Sequence, residues 1–243
     1  MLTIAFDLDD TLYSLEAPYL RMLALCFPDA DDLPGRALFC RQLDRFEDCF
    51  KRVQAGQASK ENLFADRQVL AFQDFGIPLS HQKSLEVQAT YRACQREISL
   101  SDEVRGMLDR LVAAREAGRV RFGILSNGQT SNQWRKLKIL GLESWVPAHQ
   151  IVVSEEVGYA KPDPRIFQVA LDRLGATPAD VAAGDCWYVG DSVKNDVAGA
   201  SNAGWRCLWV DHGYGLPGSD QIHPDLRVTD EHQMTEAVLG LLG

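Results

Sequence analysis

Short apolar runs rich in β-branched and aromatic residues punctuate the chain, and each gives way to polar residues at its carboxyl end. Residues 2–6 lead into Asp7, 120–125 into Ser126, 150–153 into Ser154, 187–189 into Gly190-Asp191, and 206–210 into Asp211. Runs this short do not make helices, and their composition predicts buried strands. Between the later runs the spacing becomes helical. Val104, Met107, Leu108, Leu111 and Val112 fall on one face, with Ser101 or Asp102 placed to cap the first turn. Ile166, Val169, Ala170 and Leu174 repeat the pattern after Pro164 and before Gly175. Strands alternating with such helices predict an α/β fold, a parallel sheet covered on both faces.

One interval breaks the alternation. Asp7 and Ser126 are 126 − 7 = 119 residues apart, whereas Ser126 to Lys161 is 35 and Lys161 to Asp191 is 30. A strand–helix–strand unit takes ~30 residues or more, which leaves roughly 80 surplus between the first two strands. That surplus, residues 14–99, reads as all-helical. Phe39, Leu43, Phe46, Phe50 and Val53 follow a 4-3-4-3 spacing, one apolar stripe on a helix. Phe64, Ala71, Phe72 and Phe75 predict a second helix stopped at Gly76-Ile77-Pro78. Residues 82–95 predict a third and 18–27 an earlier one. The economical reading is a small helical bundle inserted after the first strand. Residues 212–224, rich in Gly and Pro, are expected to be loop.

With 46% hydrophobic and 24% charged residues, the 243-residue chain has the composition of a folded protein that needs no staples for its core. The net charge of −9 repels phosphate backbones and anionic lipid, so no nucleic-acid polymer and no membrane is expected as a partner. The six cysteines form no C-x-x-C pair and no Cys/His cluster, which predicts free thiols in a reducing compartment. No apolar stretch approaches the ~20 residues of a membrane span, and the opening residues lack the basic region of a signal peptide. A cytoplasmic protein, monomer or homodimer, is the expectation.

In a parallel sheet, ligands bind beyond the carboxyl ends of the strands. The residues there are Asp7-Leu8-Asp9-Asp10-Thr11, Ser126-Asn127-Gly128, and Gly190-Asp191-Ser192 followed by Asp196, with Lys161-Pro162 in a loop before a helix. Each alone is an ordinary turn or surface residue. Together they bring carboxylates, a hydroxyl and a lysine to the same end of the sheet. In this order they resemble the four signature motifs of the haloacid dehalogenase-like (HAD) hydrolase superfamily. The surplus segment is similar in position to that family's helical cap.

The resemblance implies a Rossmann-like core over residues 1–13 and 100–243 and a helical cap over 14–99. It also implies a Mg²⁺-dependent phosphatase working through an aspartyl-phosphate. Asp7 would be the nucleophile. Asp9 would protonate the leaving oxygen and then activate water. Ser126, Asn127, Thr11 and Lys161 would hold the phosphate, with Lys161 supplying positive charge as the group transfers. Asp7, Asp191, Asp196 and the backbone carbonyl of Asp9 would hold the metal, because hard oxygen ligands suit Mg²⁺. Asp9 also separates branches of the superfamily, since the 2-haloacid dehalogenases lack an acid at that position and use no metal. Phosphoryl transfer is therefore favoured.

The core treats phosphates alike, so selectivity is expected from the insert, with Tyr13, Tyr19, Arg45, Phe46, Phe50 and Arg52 as candidate contacts. Asp-Asp-Thr-Leu-Tyr resembles the start of the pyrimidine 5′-nucleotidase-like branch, which makes a nucleoside monophosphate the first candidate for a small phosphorylated metabolite. Sugar-phosphate or phosphoglycolate hydrolysis, phosphomutase action and dehalogenation are the alternatives among enzymes. A non-catalytic binding protein is disfavoured because the four motif residues Asp7, Asp9, Lys161 and Asp191 are all present. His212, in the loop after the fifth strand, is expected at the surface, with the rim of the site as the alternative, and Trp187, Trp205 and Trp209 in the core.

Overall fold

The computed structural model describes residues 1–30, 32–59, 62–215 and 223–243. In chain order the elements are β1 (Leu2–Phe6), α1 (Glu16–Cys26), α2 (Gly35–Gln54), α3 (Leu63–Asp74), α4 (His81–Cys94) and α5 (Asp102–Glu116). Then follow β2 (Val120–Ser126), α6 (Thr130–Leu140), β3 (Ile151–Val153), α7 (Ser154–Val157), α8 (Pro164–Arg173) and α9 (Pro178–Ala182). The chain ends with β4 (Cys186–Gly190), α10 (Ala198–Asn202), β5 (Arg206–Val210), β6 (Leu226–Val228) and α11 (Glu231–Gly240). It divides into two compact units, residues 1–13 with 99–243, and residues 14–98.

The first unit is an α/β sandwich. Its six strands are all parallel in the order β3-β2-β1-β4-β5-β6. The chain steps from β1 to β2 to β3 on one side, then returns to β4 on the other side of β1. That reversal opens a crevice at the carboxyl ends of β1 and β4, where a parallel sheet binds its ligands. Side chains alternate across each strand. Ala5, Leu125, Val152, Tyr188 and Trp209 share one buried cluster with Ile166, Phe167, Ala170 and Leu171 of α8. On the opposite face α5 packs on β2 and α11 on β5. Ser101 caps α5 by accepting the Val104 N–H at 3.1 Å. Strand β6 has no counterpart in the hydrophobic pattern. Its three residues carry an exposed Leu226 and Arg227, and only Val228 is buried, so pairing with β5 defines it rather than composition.

The second unit is a bundle of α1 to α4, in which α1 packs on α2 and α4, and α3 on α2 and α4. Tyr19 is at its centre. Its ring lies 5.4 Å from those of Phe39 and Tyr91, and its hydroxyl donates to Gln68 Oε1 at 2.9 Å. Among the described residues no helix is long and apolar enough to cross a membrane.

Close packing is most severe at Gly123 in β2. A Cβ there would stand 2.3 Å from the carbonyl oxygen of Gln150 and 2.8 Å from Leu174 Cδ2. The carbonyl belongs to the backbone entering β3 and has no rotamer to change. Gly123→Ala should therefore destabilise the chain by about 1–3 kcal/mol, as overpacked cores do. The check is the urea midpoint; an unchanged midpoint would mean that the turn before β3 yields freely.

Candidate active site

Asp7 is the first residue beyond β1, and its N–H donates to Val189 O of β4 at 2.8 Å. Asp191 follows directly after β4, so strand pairing alone sets these two carboxylates side by side at the crevice. Asp196 reaches the same point from a π-helical turn over residues Val193–Val197 that leads into α10. Its Oδ2 accepts the Ser192 N–H at 2.9 Å. It also lies over Gly190, where a Cβ would stand 2.5 Å from Oδ2. Only glycine lets the fully buried Asp196 approach the strand end this closely.

Into this acidic cluster projects one buried ammonium. Lys161 Nζ lies 2.8 Å from Asp7 Oδ1, 2.8 Å from Asp196 Oδ1 and 2.7 Å from the Tyr188 hydroxyl. Tyr188 in turn donates its O–H to Leu125 O at 2.7 Å. The Lys161 backbone is held equally firmly. Asn127 Nδ2 donates to Lys161 O at 3.0 Å, and Asn127 Oδ1 accepts the Lys161 N–H at 2.9 Å.

Three acids against one base leave the charges unbalanced. Burial, opposed by Lys161 and aided by Asp196 and Asp9, pushes Asp7 up to about 6. Burial and the neighbouring Asp196 and Asp7 carry Asp191 well above the usual carboxylate range. Burial works against the charge on Lys161, but Asp196 and Asp7 outweigh it and hold its ammonium above the ordinary lysine value. Oxygens of Asp7, Asp191 and Asp196 lie within 4.8 Å of one another, and Asp196 Oδ1, although paired with Lys161, accepts no directed hydrogen bond. Hard oxygen donors so crowded, with one buried oxygen short of donors, fit a divalent cation.

Asp9 stands apart from that cluster, with its own donors. Lys136 Nζ lies 2.7 Å from both of its oxygens, Gln133 Nε2 donates to Oδ2 at 3.0 Å, and the Tyr13 hydroxyl donates to Oδ1. Burial would raise the Asp9 carboxyl, but the Lys136 ammonium and these hydrogen bonds win and hold it below its ordinary value.

The sequence-predicted residues thus meet at one end of the first unit, in roles that differ in places from expectation. Asp7, Asp191, Asp196 and Lys161 form one contact group, and Ser126 ends the neighbouring β2. The Asn127 side-chain amide bonds to the Lys161 backbone at both ends, Nδ2 donating to the carbonyl and Oδ1 accepting the N–H. The Thr11 hydroxyl donates to Asp191 Oδ1 at 3.4 Å. His212 is not a surface residue but half-buried, with Nε2 2.7 Å from Asp10 O, and Tyr214 donates to Asp10 Oδ2 at 2.8 Å. These two brace Asp10, a non-glycine residue at φ 57°. Trp209 is core, as expected, and also donates its indole N–H to Asp191 O at 2.8 Å. Among the proposed substrate contacts, Tyr19 is interior to the helical bundle and Arg45 is engaged with Asp48 and Asp74. Arg52 is exposed, and the side chains of Phe46 and Phe50 lie outside the described residues.

Three site residues escape the motif reading: Tyr188, Gln133 and Lys136. The hydrophobic pattern did carry one signal. Gln133, Leu137 and Leu140 are the buried residues of α6, so a glutamine occupies the apolar stripe of a helix.

The chain matches the family model for haloacid dehalogenase-like hydrolases over residues 1–204. It belongs to that family. A phosphoserine phosphatase of Thermus thermophilus is 41% identical over 123 residues, 49% of this chain and 45% of that one. The pyrimidine 5′-nucleotidase YjjG of Escherichia coli is 32% identical over 119 residues, 49% of this chain and 50% of that one. The matched segments span about half the length of these curated relatives. A solved magnesium-bound HAD hydrolase, YfnB of Bacillus subtilis, covers 100% of the chain and 98% of its own with a TM-score of 0.68 at 20% identity, a likeness of fold. Solved L-2-haloacid dehalogenases share that fold.

Tyr188 provides a test of how the buried ammonium is held. Tyr188→Phe keeps the ring but removes an acceptor from Lys161 and a donor from Leu125 O. Leaving such groups unpaired costs about 1–3 kcal/mol. The loss should appear in denaturant unfolding, and an unchanged midpoint would show that Asp7 and Asp196 hold Lys161 without it.

Proposed function

We propose that the chain is a phosphoric monoester hydrolase of a small phosphorylated metabolite, with nucleoside monophosphates first among the candidates. The observation that carries this reading is the split between two carboxylates with different partners. Asp7 sits against Lys161 and the acidic cluster, while Asp9 is held outside that cluster by Lys136. A nucleophile and a proton-transfer group need such different surroundings.

The Asp7 carboxylate attacks phosphorus, and the bond to the leaving oxygen breaks as that oxygen takes a proton from Asp9. Water then attacks the phosphoryl group on Asp7, Asp9 takes the water's proton, and inorganic phosphate and free Asp7 are released. Before substrate arrives, Lys136 keeps Asp9 ionised; the negative phosphate placed beside it favours the protonated form. Lys161 holds Asp7 in place and carries positive charge to the transferring oxygens. Asp7, Asp191 and Asp196 would hold Mg²⁺, with the backbone carbonyl of Asp9 as a further ligand. The ion would offset the repulsion between carboxylate and phosphate. The names of the phosphoserine phosphatase and nucleotidase relatives support the reaction class, and neither singles out a leaving group.

Dehalogenation is the second reading, since solved dehalogenases share the fold. The second carboxylate, Asp9, speaks against it, because displacement of halide moves no proton to the leaving group.

The test is phosphate release from nucleoside monophosphates, phosphoserine, sugar phosphates and phosphoglycolate, with Mg²⁺ or with EDTA. Release should need Mg²⁺, and Asp7→Asn should lower it at least a thousandfold. Turnover that survives the substitution, or halide release from a 2-haloacid, would sink the reading. Mg²⁺ should also raise the melting temperature, by the equivalent of about 2.7 kcal/mol at a hundred times Kd, and Asp191→Asn should abolish that rise.

A further inference from the structure

We propose that Lys136 and Gln133, together on one turn of α6, are positioning residues that set the direction of the Asp9 carboxylate. The inference rests on Asp9 being the proton-transfer group of the proposed hydrolysis, and it assigns a role to residues outside the four motifs.

Gln133 is the hub. It is buried at 2% exposure, and its Nε2 lies 3.0 Å from Asp9 Oδ2, 2.6 Å from Ser126 Oγ and 3.1 Å from Asn127 O. Its Oε1 accepts from Lys136 Nζ at 2.8 Å, and that ammonium spans both Asp9 oxygens at 2.7 Å. One amide therefore ties the phosphate-side strand end, through Ser126 and Asn127, to the carboxylate that handles the leaving oxygen. The seat is close-fitting, because a Cβ on Gly128 would stand 3.0 Å from the Gln133 amide carbon. Residues three apart on a helix face the same way, so α6 presents both side chains as one arm.

A carboxylate with two rotatable bonds and no such arm would sample several directions. Proton transfer requires it within hydrogen-bond reach of the leaving oxygen. Loss of the arm should therefore matter most where the leaving group most needs a proton. It should matter little where the leaving group departs readily as an anion.

The experiment compares para-nitrophenyl phosphate, a good leaving group, with phenyl phosphate, a poor one, in Mg²⁺. The variants are Asp9→Asn, Lys136→Met, Lys136→Arg and Gln133→Leu. Asp9 also serves the water step, which both esters share, so the readout is single-turnover release of the phenol, the step that forms phosphoryl-Asp7. Asp9→Asn should slow that release about 10²–10⁴-fold for phenyl phosphate and far less for the nitro ester. Lys136→Met and Gln133→Leu should show the same selective loss, at least tenfold, with KM nearly unchanged, and Lys136→Arg should recover most of it. If Asp9→Asn is selective but Lys136→Met lowers both esters equally, the positioning role is overturned while the hydrolase reading stands. If Asp9→Asn is not selective, Asp9 is not the proton-transfer group and both fall. A crystal structure of Lys136→Met gives a readout that needs no turnover: the Asp9 side chain should leave the direction it has here, and an unmoved carboxylate would overturn the proposal.

Discussion

The buried ammonium of Lys161 is the interaction on which the rest of the site depends. Carboxylates taken out of water at this depth are costly unless paired and hydrogen-bonded. Lys161 donates to Asp7 and the Tyr188 hydroxyl and is ion-paired with Asp196, all within 2.8 Å. One base cannot balance three acids, and the raised values of Asp7 and Asp191 record the remainder. The imbalance suits the cluster to a further cation. A fully neutralised cluster would be more stable and would have nothing to offer a metal ion.

The fold supplies this geometry through its strand order. Neighbouring strands are ~4.8 Å apart, so the residues just past β1 and β4 are close before any side chain chooses a rotamer. Asp7 is pinned by its N–H to Val189 O, and Asp196 reaches the same level because Gly190 leaves room for it. Lys161 comes from farther away, in the loop before α8, and is brought to register by the paired bonds of Asn127 to its backbone. The Ser-Asn-Gly segment after β2 thus acts partly as a splint for the lysine.

Much of this was legible in the sequence, for physical reasons. Strands buried on both faces are continuous apolar runs, and their polar ends mark the binding edge; β1 to β5 were readable in this way. Three-residue β6 was not, because an edge strand with Arg227 exposed has no apolar signature and exists through its pairing. The four motifs identified the residues of the cluster but not their hydrogen-bond partners. Asn127 was placed beside the phosphate by its motif, and the motif did not show that its side chain bonds to the Lys161 backbone, 34 residues away. Tyr188 was hidden because a tyrosine within a buried strand is ordinarily core; only its hydroxyl, set between Lys161 and Leu125 O, gives it another part.

The two carboxylates after β1 take different surroundings because each meets its own cation from a different element. Lys161 reaches Asp7 from the loop before α8, and Lys136 reaches Asp9 from α6. Had one lysine served both, the proposed nucleophile and the proposed proton-transfer group would share one charge balance and shift together. With two, the phosphate can alter the surroundings of Asp9 while Asp7 stays held by Lys161. The second, partly buried carboxylate takes four side-chain hydrogen bonds from Tyr13, Gln133 and Lys136. A reaction whose leaving group departs without a proton has no use for that arrangement. Displacement at phosphorus from an alcohol does, and the arrangement around Asp9 therefore favours phosphate esters over carbon–halogen bonds.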